Sequence, residues 1–169
     1  MAKRRKKIIV SLITILFSLV LLAIGYYLFD QFVGANYSLH GVSGSSMESE
    51  LEDRDLVLVK MNAPLNRYSI IAFTYEEEMY VKRIIGVPGD SIIISQNRIS
   101  IDAGGQGSFK TVYDFELSET VANELQNVMQ IPVNSYFVIG DNLDISKDSR
   151  EFGLISQNTI EGKIIFNFK

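Results

Sequence analysis

Three short stretches of this chain concentrate residue types that can do nucleophilic and acid–base chemistry. The first, Gly41-Val42-Ser43-Gly44-Ser45-Ser46-Met47, crowds three hydroxyls around two glycines. Standing alone it reads as a turn or linker, because small residues and hydroxyls around Gly usually make one. The second is Met79-Tyr80-Val81-Lys82-Arg83-Ile84-Ile85-Gly86-Val87-Pro88-Gly89-Asp90. On a strand the side chains alternate, so Lys82 shares a face with Tyr80 and Ile84, while Met79, Val81, Arg83 and Ile85 point the other way. A lysine in that company is either a snorkelling side chain at a sheet edge or a desolvated amine. Burial disfavours the ammonium form, so a desolvated lysine loses pKa from about 10.4 toward neutrality and can serve as a general base.

The third stretch runs from Gly140 to Gly153 through Asp141, Asn142, Leu143, Asp144, Ser146, Asp148 and Arg150. It is dense in groups that bond side chain to backbone. Its acidic residues stand close enough for a cation loop, yet the EF-hand spacing fails, with no central Gly or terminal Glu in place. Asp148 and Arg150 can instead pair within a loop held in one shape.

Composition closes off several other chemistries. The chain has no cysteine, hence no disulfide, no thiolate nucleophile and no Cys-ligated zinc. Its one histidine, His40, excludes a two-His metal site. Residues 1–34 carry a net +4 and the whole chain −4, leaving −8 on residues 35–169. An acidic remainder argues against a nucleic-acid partner, which needs clustered Lys and Arg. No cofactor is expected.

These stretches must be positioned by something, and the N-terminus supplies one element of unusual kind. Lys3, Arg4, Arg5, Lys6 and Lys7 precede an uncharged run of 22 residues, Ile8 to Phe29. As a helix it would extend about 33 Å, enough to cross a hydrocarbon core of roughly 30 Å. Ser11, Thr14 and Ser18 can bond back to helix carbonyls. Tyr26, Tyr27 and Phe29 stand where an aromatic belt forms, and the basic cluster predicts a cytoplasmic N-terminus with the remainder outside. The run is longer than the apolar core of a cleavable signal, and no A-x-A-like site follows it. The expected partner of this segment is the lipid bilayer.

The outer part reads as strands over Leu56–Val59, Ser69–Tyr75, Tyr80–Ile85, Ser91–Ser95, Arg98–Ile101, Ser135–Ile139 and Ile160–Phe166, short runs rich in β-branched and aromatic residues. Gln96-Asn97 suits a hairpin tip, and Gly104–Gly107 a flexible loop. Val121, Leu125 and Val128 recur at helical spacing, with Ser118 as N-cap. The expected organisation is a basic segment 1–7, an anchor 8–29, a juxtamembrane linker 30–40 and one mostly β domain 41–169 of antiparallel sheets with one short helix.

Taken in order, the three stretches resemble type I signal peptidase, the membrane-anchored Ser–Lys protease family, closest to its short Gram-positive form. The family's Val-x-Gly-x-Ser-Met pattern stands at Val42–Met47, its Tyr-Val-Lys-Arg-Ile-x-Gly-x-Pro-Gly-Asp pattern at Tyr80–Asp90, and its Gly-Asp-Asn…Ser-x-Asp-Ser-Arg pattern at Gly140–Arg150. The resemblance implies Ser46 as nucleophile and Lys82 as base. It further implies Ser146 as the serine that orients the lysine, Asp148 and Arg150 as a supporting ion pair, and an oxyanion site at the Ser46 N–H with a second donor near Gly44. The implied substrates are signal peptides of secretory preproteins, bound extended along a strand edge with small residues at the first and third positions before the cut. Three departures stand out: Glu48-Ser49-Glu50 where the family usually has x-Pro-Thr, Leu143 in place of an arginine, and Arg54 in place of a glycine. The Glu48-Ser49-Glu50 segment motivates a second reading, a signal-peptidase-like accessory protein that works with surface-structure subunits such as those of pili and performs little or no proteolysis. A repressor-type self-cleaving Ser–Lys protein shares the dyad logic and leaves the anchor without a purpose.

Overall fold

The computed structural model describes residues 2–104 and 107–169. Met1 of the expected basic segment, and Gly105 and Gln106 of the expected flexible loop, lie outside the described residues. The chain divides into two compact units, 1–37 and 38–169.

The first unit is one helix, α1 (Ala2–Asn36). From Arg5 to Asn36 its mean hydropathy is 2.9 over the most apolar window, and none of that window is covered by protein. Side chains such as Leu22 stay 70% exposed. A helix apolar on every side needs an apolar surrounding, which fits a membrane anchor. Thr14 Oγ1 and Ser18 Oγ donate to the carbonyls of Ser11 and Thr14, so their hydroxyls are satisfied within the helix. Over the expected linker 30–40 the helix continues to Asn36, and a strand, β1 (Tyr37–Gly41), follows directly. Nothing in Asp30–Asn36 breaks a helix, since Gly34 lowers propensity without ending it, and Asn36 Nδ2 donates back to the Phe32 carbonyl.

The second unit is mostly β. After β1 come β2 (Leu56–Met61), β3 (Ile70–Tyr75), β4 (Glu78–Gly86), β5 (Ser91–Ser95), β6 (Arg98–Asp102) and β7 (Val112–Glu116). Then follow α2 (Glu119–Leu125), β8 (Ser135–Ile139), a one-turn helix α3 (Ser149–Phe152), β9 (Ile155–Ser156) and β10 (Ile160–Phe168). Among the described residues the larger sheet runs β1-β2-β10-β3-β4-β8-β9 and the smaller β5-β6-β7. The pairings from β2 through β9 and within the smaller sheet are antiparallel. Every expected strand is present; β1, β7, β9 and α3 are additional. Gln96 (φ 53°) turns the β5–β6 hairpin, whose ends pair Ser95 with Arg98. Ser118 caps α2 as expected, accepting from the Val121 N–H at 3.3 Å.

Alternation along the strands divides the apolar residues among three cores. One lies around Ile99, Ile101, Phe137 and the Val121/Leu125 face of α2. A second gathers Ile71, Phe73, Ile84, Tyr136 and Val138. The third, Met47, Leu51 and Val57 with Val81 and Ile164 against them, matters most for the site, because it roots the segment that carries Ser46.

Candidate active site

Ser46 stands at the head of a tight turn. The N–H groups of Glu50 and Leu51 both donate to the Met47 carbonyl, at 2.9 and 2.7 Å. Met47 and Leu51 point inward and are almost fully buried, so burial of two large apolar side chains, about 1.5–3 kcal/mol each, fixes the turn from below. Ser46 itself stays half-exposed on top.

Lys82 comes from the middle of β4, and β3 holds that strand in register, with Ile71 opposite Lys82 and Phe73 opposite Tyr80. The side chain is only 3% exposed, so the desolvated option holds and the snorkelling one does not. Its Nζ lies 2.7 Å from Ser46 Oγ and 5.7 Å from the centre of the Tyr80 ring. Burial pulls the amine down from 10.5 to about 8; the charges of Asp148 and then Asp141 act the other way but do not win. An amine of that basicity is neutral in a useful fraction at ordinary pH. It can then accept the Ser46 proton, which an ordinary lysine cannot.

The Gly140–Gly153 stretch packs beside this pair. Asp148 is wholly buried and caps α3. Its carboxylate accepts from the Gly140 N–H (3.0 Å), the Arg150 N–H (3.2 Å), Arg150 Nε (2.8 Å) and Arg150 Nη2 (3.0 Å). Four donors make a buried carboxylate tenable. Arg150 also donates to the carbonyls of Leu143 and Ser146, so the expected ion pair exists and ties both limbs of the loop together. Among the described residues no group of acidic or histidine side chains has metal-holding geometry. Gly140 has to be glycine: a Cβ there would collide with Ser146 Oγ and lie 2.8 Å from the Ser46 carbonyl oxygen.

Two expected roles do not appear as drawn. Ser146 Oγ is buried beside Gly140 and has no hydrogen-bond partner among the described residues, so it makes no bond to Lys82 here. The Gly44 N–H donates to Asp53 Oδ1 at 2.9 Å, so the donor expected near Gly44 is not that N–H in this conformation; Gly44 keeps the positive φ of 86° that its turn requires. The Ser46 N–H, by contrast, has no hydrogen-bond partner among the described residues. His40 is turned elsewhere, with Nε2 2.9 Å from Glu161 Oε1.

One cluster is not foreseen by the sequence. Asp141 takes a two-pronged bond from Arg83 (Nε 2.8 Å, Nη2 2.7 Å) and a third from Ser49 Oγ at 3.0 Å. Next to it the Asn142 N–H donates to the Ser46 carbonyl at 3.0 Å. The signal is legible only as charge: Arg83 follows the lysine directly, and Asp141 opens the Gly140 loop. In front of Ser46 and Lys82 lies a groove of about 630 Å³, walled by the 40–47 segment on one side and residues 78–82 on the other.

The chain matches the family model described as signal peptidase, peptidase S26, over residues 9–169. It belongs to that family. The family makes it a serine peptidase, a hydrolase. Similar proteins include signal peptidase IB of Staphylococcus aureus (strain COL), 30% identical over 97% of this chain and 91% of that one, and signal peptidase I of Bacillus caldolyticus, 35% identical over 81% and 80%. A crystal structure of a signal peptidase I from Enterococcus faecalis V583 is 28% identical, covering 62% of this chain and 99% of that one, with a TM-score of 0.42. Relatives named as peptidases favour the hydrolase over the accessory-protein reading. Within this family frame the Arg54 departure has a visible consequence: its φ is 75°, a conformation glycine adopts without strain and arginine does not.

Proposed function

We propose that this chain is a membrane-bound endopeptidase that removes N-terminal signal peptides from exported preproteins, with Ser46 as nucleophile and Lys82 as its base. The observation that carries this reading is the 2.7 Å approach of Ser46 Oγ to an amine that is 3% exposed and depressed to about 8. Neutral Lys82 takes the hydroxyl proton as Oγ attacks the carbonyl carbon of the scissile bond. The tetrahedral oxyanion accepts from the Ser46 N–H, a type of contact that typically contributes about 3–4 kcal/mol to the transition state. Lys82 then returns the proton to the departing amine, and water, deprotonated in turn by Lys82, hydrolyses the acyl-serine. The substrate runs extended through the groove. The first half of β4 offers an edge there, since β8 pairs only with Arg83, Ile84 and Gly86.

Residues 8–29 would sit in the bilayer with the Lys3–Lys7 cluster inside and residues 38–169 outside. Ser46 is ten residues beyond Asn36, a length of chain that reaches at most about 36 Å. That tether bounds the distance from the end of the helix to Ser46 without fixing it, and the reading needs the nucleophile at the outer surface, where a signal peptide's cut site leaves the membrane.

The test is to incubate the full chain, in detergent and in liposomes, with a precursor carrying a signal peptide. A single cut after a small residue is expected, and absence of any cut would sink the reading. Removing residues 1–34 should slow cleavage of membrane-inserted precursor at least tenfold more than cleavage of a short soluble peptide. Equal losses on both substrates would remove the positioning role of the anchor.

A further inference from the structure

Ser49 stands where the family's usual proline is missing, three residues after the nucleophile. A proline there would restrain the turn through its fixed φ; serine has no such stiffness. The structure shows a different restraint. Ser49 Oγ donates to Asp141 Oδ2 at 3.0 Å, Asp141 is gripped by Arg83 at 2.8 and 2.7 Å, and Arg83 is bonded through the chain to Lys82. Lys82 Nζ then closes on Ser46 Oγ at 2.7 Å. Nucleophile and base are thus members of a closed ring of contacts that includes the Ser49–Asp141 bond. Glu50 adds little, because its carboxylate is 3.4 Å from Arg83 Nη2 and 58% exposed.

We propose that Ser49 is a positioning residue: its hydroxyl, through Asp141 and Arg83, holds the Ser46 turn in line with Lys82 and takes the place of backbone rigidity. This rests on the dyad reading above. A hydrogen bond to an ionised carboxylate is a strong, directional restraint. Misplacing a nucleophile by a fraction of an ångström is enough to cost much of the rate. Ser49 borders a shallow depression with Asp141, Asn142 and Leu143, separate from the groove in front of Ser46, so altering it leaves the substrate-binding wall intact. The side chain is exposed, so its loss leaves no cavity.

The experiment uses the full chain in detergent with a soluble peptide substrate, comparing Ser49→Val, Ser49→Thr and Ser46→Ala with the parent. Ser49→Val should lower kcat roughly tenfold or more with KM within about twofold. It should also raise the pH at which kcat reaches half its maximum, because a loosened turn lets water reach the amine. Ser49→Thr keeps a hydroxyl and should restore both values. Parent-like kcat and pH midpoint in Ser49→Val would overturn the proposal and leave the dyad standing. Failure of Ser49→Thr to restore them would overturn it equally, as would a loss in Ser49→Val that tracks a collapse of the thermal midpoint. Activity surviving in Ser46→Ala would overturn the dyad, and this proposal with it.

Discussion

Cleavage of a peptide by this protein should switch on as the solution is made more alkaline, with kcat/KM rising about tenfold per pH unit up to a midpoint near 8. In the proposed mechanism the active form carries Lys82 as the neutral amine, so protonation removes the base. At pH 6 the rate should be on the order of 100-fold below its plateau. The midpoint belongs to burial: an exposed lysine would place it near 10.5, and His40→Gln should leave it unchanged, because His40 bonds Glu161 rather than Ser46 or Lys82. Lys82→Arg should be inactive at every pH, since guanidinium stays charged. A pH–rate profile of the parent and these two variants checks all three statements.

Lys82→Met should have two effects of opposite sign. Activity should fall on the order of 10⁴-fold or more, as expected when one member of a nucleophile–base unit is removed. Stability near pH 7 should rise. Lys82 titrates at about 8 when folded and 10.5 when free, so the unfolded chain binds the proton more tightly between those values. Stability therefore climbs as pH rises from 8 to 10.5; the penalty is fully present below 8 and gone above 10.5. A shift of that size corresponds to roughly 3 kcal/mol. Methionine has a similar reach and no charge to desolvate, so the thermal midpoint at pH 7 should increase by on the order of 5 °C, and the gain should vanish near pH 11. Thermal unfolding of both forms across that range measures it. A destabilised Lys82→Met at pH 7 would mean that the amine is held by bonds rather than suffering burial.

Much of the fold is legible because the strands are short apolar runs between turn residues. Ile70–Tyr75 and Glu78–Gly86 announce themselves by β-branched and aromatic content, and they frame Lys82. What escapes is less apolar. Strand β7, Val112–Glu116, does alternate, and Tyr113 and Phe115 pack on the first core, but Asp114 and Glu116 disguise it as loop. Strand β1, Tyr37–Gly41, carries Ser38 and His40, which the sequence leaves without a purpose; both bond Glu161 of β10, a partner 121 residues from His40. The helix past Asp30 escapes because the uncharged run ends there, although charge ends a membrane span without ending a helix.

The site is legible to the extent that its chemistry is local. Ser46 and Lys82 come together as the resemblance implies, and Asp148 with Arg150 forms the expected pair. Gly44 differs because its N–H finds Asp53, nine residues on, a contact no spacing rule predicts. Ser146 reaches the right neighbourhood with its hydroxyl unbonded. The Ser49–Asp141–Arg83 link joins three separate segments and exists only after folding. The altered Glu48-Ser49-Glu50 segment, which on sequence raises the prospect of an idle enzyme, contributes the Ser49–Asp141 bond beside the Ser46–Lys82 approach.

The most direct test of the central claim is cleavage of a signal-peptide-bearing precursor by the full chain and by Ser46→Ala at pH 8.5, with the product's new N-terminus sequenced. One product is expected from the parent, cut after a small residue, and none from Ser46→Ala at a detection limit of about 10⁻⁴ of the parent rate. The same product appearing from Ser46→Ala at a comparable rate would contradict the assignment of Ser46 as nucleophile.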